Sequence, residues 1–132
     1  MPSPVPGRCI LIIEDNADAR DALRILLELD GHQIEVAGEG AEGLEIAQAK
    51  DPDIALVDIG LPGMDGYEIA RRLRASGSRR PLLVALTGYG QPEDRKRAQE
   101  AGFDALLVKP VDPNTLSSLL TTLEIPGPGS RG

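Results

Sequence analysis

The chain has 132 residues, 41% of them hydrophobic and only 2% aromatic, which suits one compact domain with an aliphatic core. A formal charge of -7 opposes attraction to nucleic acid and to anionic lipid, both polyanions, so neither is expected as a partner. No apolar run approaches the roughly 18 residues of a membrane-spanning helix, the lone Cys9 excludes an internal disulfide, and no basic leader precedes an apolar stretch, so a cytoplasmic setting is expected.

Residues 1–7 and 124–132 are rich in glycine and proline and poor in groups that pack, so they read as flexible tails around a domain of residues 8–123. CILII (Cys9 to Ile13) predicts a first strand. A helix over Ala17 to Asp30 follows, with Leu23, Leu26, Leu27 and Leu29 as its apolar positions and Gly31 past its end. QIEVA (Gln33 to Ala37) alternates as an edge strand does, and a helix over Ala41 to Lys50 comes next. DIALV (Asp53 to Val57), a helix over Gly66 to Ser76, LLVAL (Leu82 to Leu86) and a helix over Glu93 to Ala101 continue the alternation, with Gly102 as a stop. ALLV (Ala105 to Val108) is the last strand; Asp112 and Pro113 then supply an N-cap and first-turn proline for a helix to Leu123. Apart from QIEVA the strands are nearly continuous in apolar residues, as strands covered on both faces are. Five βα units predict an α/β fold, a doubly wound parallel sheet with helices on both faces.

In such a sheet ligands bind outside the carboxyl ends of the strands. The residues expected there are Glu14 and Asp15, Gly38, Asp58, Thr87 and Lys109. Glu14, Asp15 and Asp58 would converge, and three carboxylates at close range repel one another enough to raise a pKa or to demand a cation. Mg²⁺ (or Mn²⁺) fits a site of few carboxylates, with Asp15, Asp58 and the Gly60 backbone carbonyl as ligands and Glu14 in support. His32, beside a turn glycine, reads as a surface residue, and no histidine or cysteine cluster points to zinc. A carboxylate beside such a cation, with a lysine and a hydroxyl in reach, is equipment for phosphoryl transfer onto Asp58.

IIEDN (Ile12 to Asn16), VDIGLPGMDGYE (Val57 to Glu68), LTGYG (Leu86 to Gly90) and VKP (Val108 to Pro110) together resemble the receiver domain of two-component response regulators, in wording most like receivers attached to hybrid sensor kinases. The resemblance implies a flavodoxin-like strand order 2-1-3-4-5. It also implies transfer to Asp58 from a phosphohistidine on a sensor histidine kinase or histidine phosphotransfer protein, a switch through Thr87 and Lys109, a cis bond before Pro110, and a regulatory rather than enzymatic role. Many receivers carry an aromatic residue where this chain has Leu106, so the usual aromatic readout is absent, and Tyr89 is a candidate substitute. Gly60 and Tyr89, at the positions that influence how water reaches the acyl phosphate in similar proteins, suggest slow self-dephosphorylation.

Other readings fit parts of the pattern. Gly38-Glu39-Gly40-Ala41-Glu42-Gly43 matches a dinucleotide-binding fingerprint, although Glu39 and Glu42 would put negative charge where a pyrophosphate rests. A receiver fold kept only as an interaction module is a further alternative, against which the intact acidic, threonine and lysine set argues. Arg71, Arg72, Arg74, Arg79 and Arg80 read as the solvated side of the third helix, or as a docking surface for an acidic partner.

Overall fold

A computed structural model describes residues 7–60, 65–75, 81–88 and 92–122. The elements are β1 (Cys9–Ile13), α1 (Ala17–Leu29), β2 (Gln33–Ala37), α2 (Gly40–Lys50), β3 (Ile54–Asp58), α3 (Gly66–Arg74), β4 (Leu82–Thr87), α4 (Pro92–Ala101), β5 (Ala105–Val108) and α5 (Pro113–Thr122). The strands form one parallel sheet in the order β2-β1-β3-β4-β5, the expected flavodoxin-like topology. The order reverses between β1 and β3, where a doubly wound sheet opens a crevice.

The pleat divides the apolar strand residues between two cores, because successive side chains point to opposite faces. Leu11, Ile13, Ala55, Val57, Leu83 and Ala85 meet residues of α3 and α4, with Leu44, Ile46 and Ala47 of α2 packed against them. Ile10, Ile12, Ile54, Leu56, Val84 and Leu86 meet Leu23 and Leu27 of α1 and Leu116 and Leu120 of α5. β1, β3 and β4 are therefore apolar on both sides, as parallel strands covered by helices on both faces are.

Local chemistry sets the helix ends. Asn16 caps α1 by accepting from the Ala19 N–H at 2.9 Å, and Asp65 caps α3 by accepting from the Glu68 N–H at 2.9 Å. Asp112 accepts from the Thr115 N–H at 2.8 Å, as expected of an N-cap. Gly31 and Gly102 stop their helices at φ of +91° and +109°, a region open to glycine.

Several expectations change in the structure. Leu29 is 80% exposed rather than part of the apolar face, because it lies about 200° around α1 from the buried Leu27. β5, continuous in apolar residues, is an edge strand with Val108 40% exposed. β3 and β4 each run one residue further than expected, because Asp58 pairs with Leu86 and Thr87 with Val108 in the ladders. His32 is half-buried, its Nδ1 accepting from the Arg8 N–H at 3.1 Å. Arg74 does not lie on a solvated face. Its Nε donates to Gly102 O at 3.1 Å, Nη1 to Pro81 O at 2.8 Å and Nη2 to Asp104 at 2.6 Å, tying α3 to the starts of β4 and β5. Arg71 and Arg72 do pair with Glu68 at the surface. The tail residues 1–6 and 123–132, together with Tyr89, Arg79 and Arg80, lie outside the described residues.

Candidate functional site

The carboxyl ends of β1, β3, β4 and β5 bring Glu14, Asp15, Asp58, Thr87 and Lys109 to one end of the sheet. Each is held there by the ladder that precedes it. The Glu14 N–H donates to Ala37 O at 3.0 Å, Ile59 N–H to Leu86 O at 3.0 Å, and Lys109 N–H to Thr87 O at 2.7 Å. The last bond extends the β4–β5 pairing by one residue. The Lys109-Pro110 peptide bond is cis, as the resemblance implied.

Glu14, Asp15 and Asp58 each present a carboxylate oxygen within 4.8 Å of the others. Glu14 is fully buried, Asp58 is 7% exposed and Thr87 4% exposed, while Asp15 faces solvent. The Lys109 ammonium donates to Glu14 Oε1 at 2.5 Å and to Asp58 Oδ2 at 3.0 Å. The remaining oxygens are also engaged: Glu14 Oε2 accepts from the Asn16 N–H at 3.1 Å, and Asp58 Oδ1 from the Gly60 N–H at 2.8 Å. Arg20 Nη1 donates to the Glu14 carbonyl at 3.0 Å and steadies the acidic turn.

Burial pushes the Glu14 carboxyl above its ordinary value; Lys109 opposes the rise and Asp58 adds to it. Burial acts in the same sense on Asp58, but the Gly60 N–H, Glu14 and Lys109 outweigh it and hold that carboxyl below its ordinary value. For Lys109, burial favours the neutral amine, but hydrogen bonds to Glu14 and Asp58 outweigh it and hold the pKa above the usual value. Asp58 is thus kept as a carboxylate, the form with a lone pair to attack phosphorus, beside a lysine kept as a cation.

Gly66 lets α3 start hard against the site. A Cβ there would lie 2.6 Å from Ile59 Cα and 2.8 Å from the Asp58 carbonyl, both backbone atoms that cannot yield cheaply. Beyond Asp58 a cavity of about 230 Å³ opens, lined by Ile59, Gly60, Tyr67, Thr87, Gly88, Asp94 and Arg97. Tyr67, Arg97 and Arg20 were not legible as site residues in the sequence: Tyr67 lay within a motif whose aspartate and glycines drew the reading, and the two arginines lie on amphipathic helices.

The glycine run at Gly38 to Gly43 has a structural explanation. Glu42 Oε1 accepts from the Gly38 N–H at 3.1 Å, so the turn's own side chain occupies a donor that a phosphate would use. A Cβ on Gly43 would fall inside the Ile13 side chain, so this glycine allows α2 to pack closely on β1. Leu106 is half-buried and packs against the core shared by α3 and α4.

The sequence and fold agree with known proteins. Residues 10–121 match the model of the response regulator receiver domain. A 14.6 kDa protein of Leptolyngbya boryana is 39% identical over 112 residues, 84% of this chain and 86% of that one. The response regulator MprA of Mycobacterium ulcerans is 37% identical over 101 residues, 76% of this chain but only 43% of the regulator, so the likeness concerns less than half of that protein. The crystal structure of a CheY-like response regulator receiver domain protein from Methanospirillum hungatei JF-1 superposes with a TM-score of 0.79 at 32% identity, covering 87% of this chain and 91% of that one. The chain accordingly belongs to the response regulator receiver domain family, the phosphoacceptor signalling domains of two-component systems.

Proposed function

We propose that Asp58 is the residue that takes the phosphoryl group, donated by a phosphohistidine on a sensor histidine kinase or a histidine phosphotransfer protein. The observation that carries this reading is the Asp58 carboxylate itself: buried, held ionised, and 3.0 Å from the Lys109 ammonium. An Asp58 oxygen attacks phosphorus, the phosphorus–nitrogen bond breaks with its electron pair going to the imidazole, and an acyl phosphate forms. Lys109 and the Thr87 hydroxyl would then hold the transferred oxygens.

The oxygen-only donor set of Glu14, Asp15 and Asp58 suits a hard divalent cation. Asp15, Asp58 and the Gly60 carbonyl would hold Mg²⁺ (or Mn²⁺), with Glu14 supporting them. When bound, the cation would offset charge on the transferring oxygens. Glu14 is already committed to Lys109 and the Asn16 N–H, which fits a supporting part.

The role is regulatory. The domain assists only its own phosphorylation and dephosphorylation, with Thr87 and Lys109 passing the change to its surface. Slow loss of the phosphoryl group is the companion expectation, since Gly60 offers no side chain to guide water to it. The donor class follows from membership of the receiver family, and a cytoplasmic setting is the one that such a donor supports. Among the described residues no helix is long and apolar enough to cross a membrane.

Incubation with Mg²⁺ and acetyl phosphate, followed by intact-protein mass spectrometry, tests the assignment. Wild type should gain one phosphoryl group and Asp58→Asn none. A wild type that gains nothing, or an Asp58→Asn variant that labels equally, would overturn it.

A further inference from the structure

Tyr67, the second residue of α3, is 4% exposed, and among the described residues its hydroxyl is a buried polar atom without a hydrogen-bond partner. Such a group loses its hydration and receives nothing in exchange, which marks an arrangement with a better alternative close in energy. Its surroundings indicate what that alternative involves. Tyr67 lines the same cavity as Asp58, Gly60, Thr87 and Gly88, and α4 supplies the wall bearing Asp94 and Arg97. The Arg97 guanidinium lies over the Tyr67 ring, 4.2 Å from its centroid, held by attraction of the cation to the negative ring face.

We propose that Tyr67 and Arg97 form a switch pair coupling charge on Asp58 to the position of α4; the inference rests on the phosphoacceptor reading of Asp58. A phosphoryl group there brings negative charge and acceptor oxygens into a cavity whose α4 wall carries one cation and one anion. Attraction draws Arg97 off the ring toward the new oxygens, while repulsion acts on Asp94 one turn earlier in the same helix. With the guanidinium gone, the Tyr67 hydroxyl gains access to an acceptor in the same space. Ala98 and Ala101 anchor α4 in the core that also contains Tyr67, so the helix shifts with its arginine. Leu106 packs on that core without a polar atom and cannot take this part.

The test compares wild type, Tyr67→Phe and Arg97→Gln, each with Mg²⁺ and the phosphoryl mimic beryllofluoride, by amide NMR. The readout is the ratio of shifts along α4 to shifts at Ile59, Gly60 and Gly88. Wild type should respond in both regions. At saturating beryllofluoride each variant should show the site shifts, Arg97→Gln needing a higher concentration because it lacks the cation that meets the new oxygens, and each should lose roughly half or more of the α4 response, as a biased two-state equilibrium requires. Tyr67→Phe removes only an unpartnered hydroxyl, so its thermal midpoint should be unchanged or higher, separating a lost switch from a damaged fold. Site shifts accompanied by a wild-type α4 response in both variants would overturn the switch pair alone. Absence of site shifts in wild type would instead overturn the phosphoacceptor reading, and the inference with it.

Discussion

The Lys109 ammonium lies 3.0 Å from Oδ2 of Asp58 although their strands, β5 and β3, do not touch: β4 runs between them. The lysine reaches past β4 and ends between Asp58 and the fully buried Glu14. Lys109 is thus the counter-charge of two carboxylates whose mutual repulsion would otherwise fall on the fold.

Removing that counter-charge should destabilise the domain. Breaking a buried ion pair by deleting one partner costs about 3–5 kcal/mol; the 29% exposure of the Lys109 side chain reduces the expectation to about 1–3 kcal/mol for Lys109→Met. Urea denaturation at neutral pH without divalent cations measures it, and a midpoint equal to that of wild type would contradict the pairing as drawn.

Divalent cation and Asp15 should be linked. Asp15 is exposed and adds a third carboxylate to the cluster. Asp15→Asn should therefore leave metal-free stability unchanged or raise it by less than about 1 kcal/mol. Wild type should gain about 2.7 kcal/mol when Mg²⁺ reaches a hundred times its dissociation constant, and the variant should lose most of that gain. Thermal unfolding across a Mg²⁺ titration reads both effects; equal gains in the two proteins would remove Asp15 from the ligand set.

His32 should make stability depend on pH. Burial lowers its pKa, and its Nδ1 accepts the Arg8 N–H, which requires a neutral ring. A lowered folded-state pKa means the unfolded chain binds the proton more readily. The contribution is therefore complete above the unfolded value of about 6.5 and declines as pH falls below it toward the lower folded value. Urea midpoints followed from about pH 7.5 to about pH 5 should fall in wild type and fall less in His32→Gln; parallel profiles would count against a role for this ring.

Arg74 should matter for stability and not for phosphoryl uptake. Arg74→Ala removes the donor to two backbone carbonyls and the cation beside Asp104, whose Oδ2 keeps the Leu83 N–H at 2.8 Å, a loss of about 2–3 kcal/mol for a charged, partly buried network. Arg74→Lys should recover little, since an ammonium cannot reproduce the planar fork. Chemical denaturation with a labelling assay alongside separates the two properties. Reduced labelling of the folded Arg74→Ala protein would show that this network reaches the site.

The order of strands and helices was legible because hydrophobic patterning is local: a run such as DIALV declares a buried strand within five residues, although the strand itself is Ile54–Asp58, its end fixed by pairing with β4. Glu14, Asp58, Thr87 and Lys109 could be singled out because reactive side chains at the ends of apolar runs have one common destination in a doubly wound sheet. Contacts between elements distant in sequence were not legible. Arg74 looked like one more arginine on a basic helix until α3 was set beside the start of β5, 30 residues further along, where Asp104 awaits it. The exposure of Val108 goes with the position of β5 at the edge of the sheet among the described residues, which its own apolar run did not announce.

Composition, periodicity and motif spacing by themselves determined a parallel α/β domain with acidic, hydroxyl and ammonium groups at its strand ends. Tertiary structure alone decided how those groups share charge, with Lys109 bridging Glu14 and Asp58, and it alone brought Arg97 of α4 over the Tyr67 ring of α3. The division has a physical basis. Strand and helix patterns are written in neighbouring residues, whereas the pKa of a carboxylate or the partner of a guanidinium depends on which surfaces meet once the chain is packed.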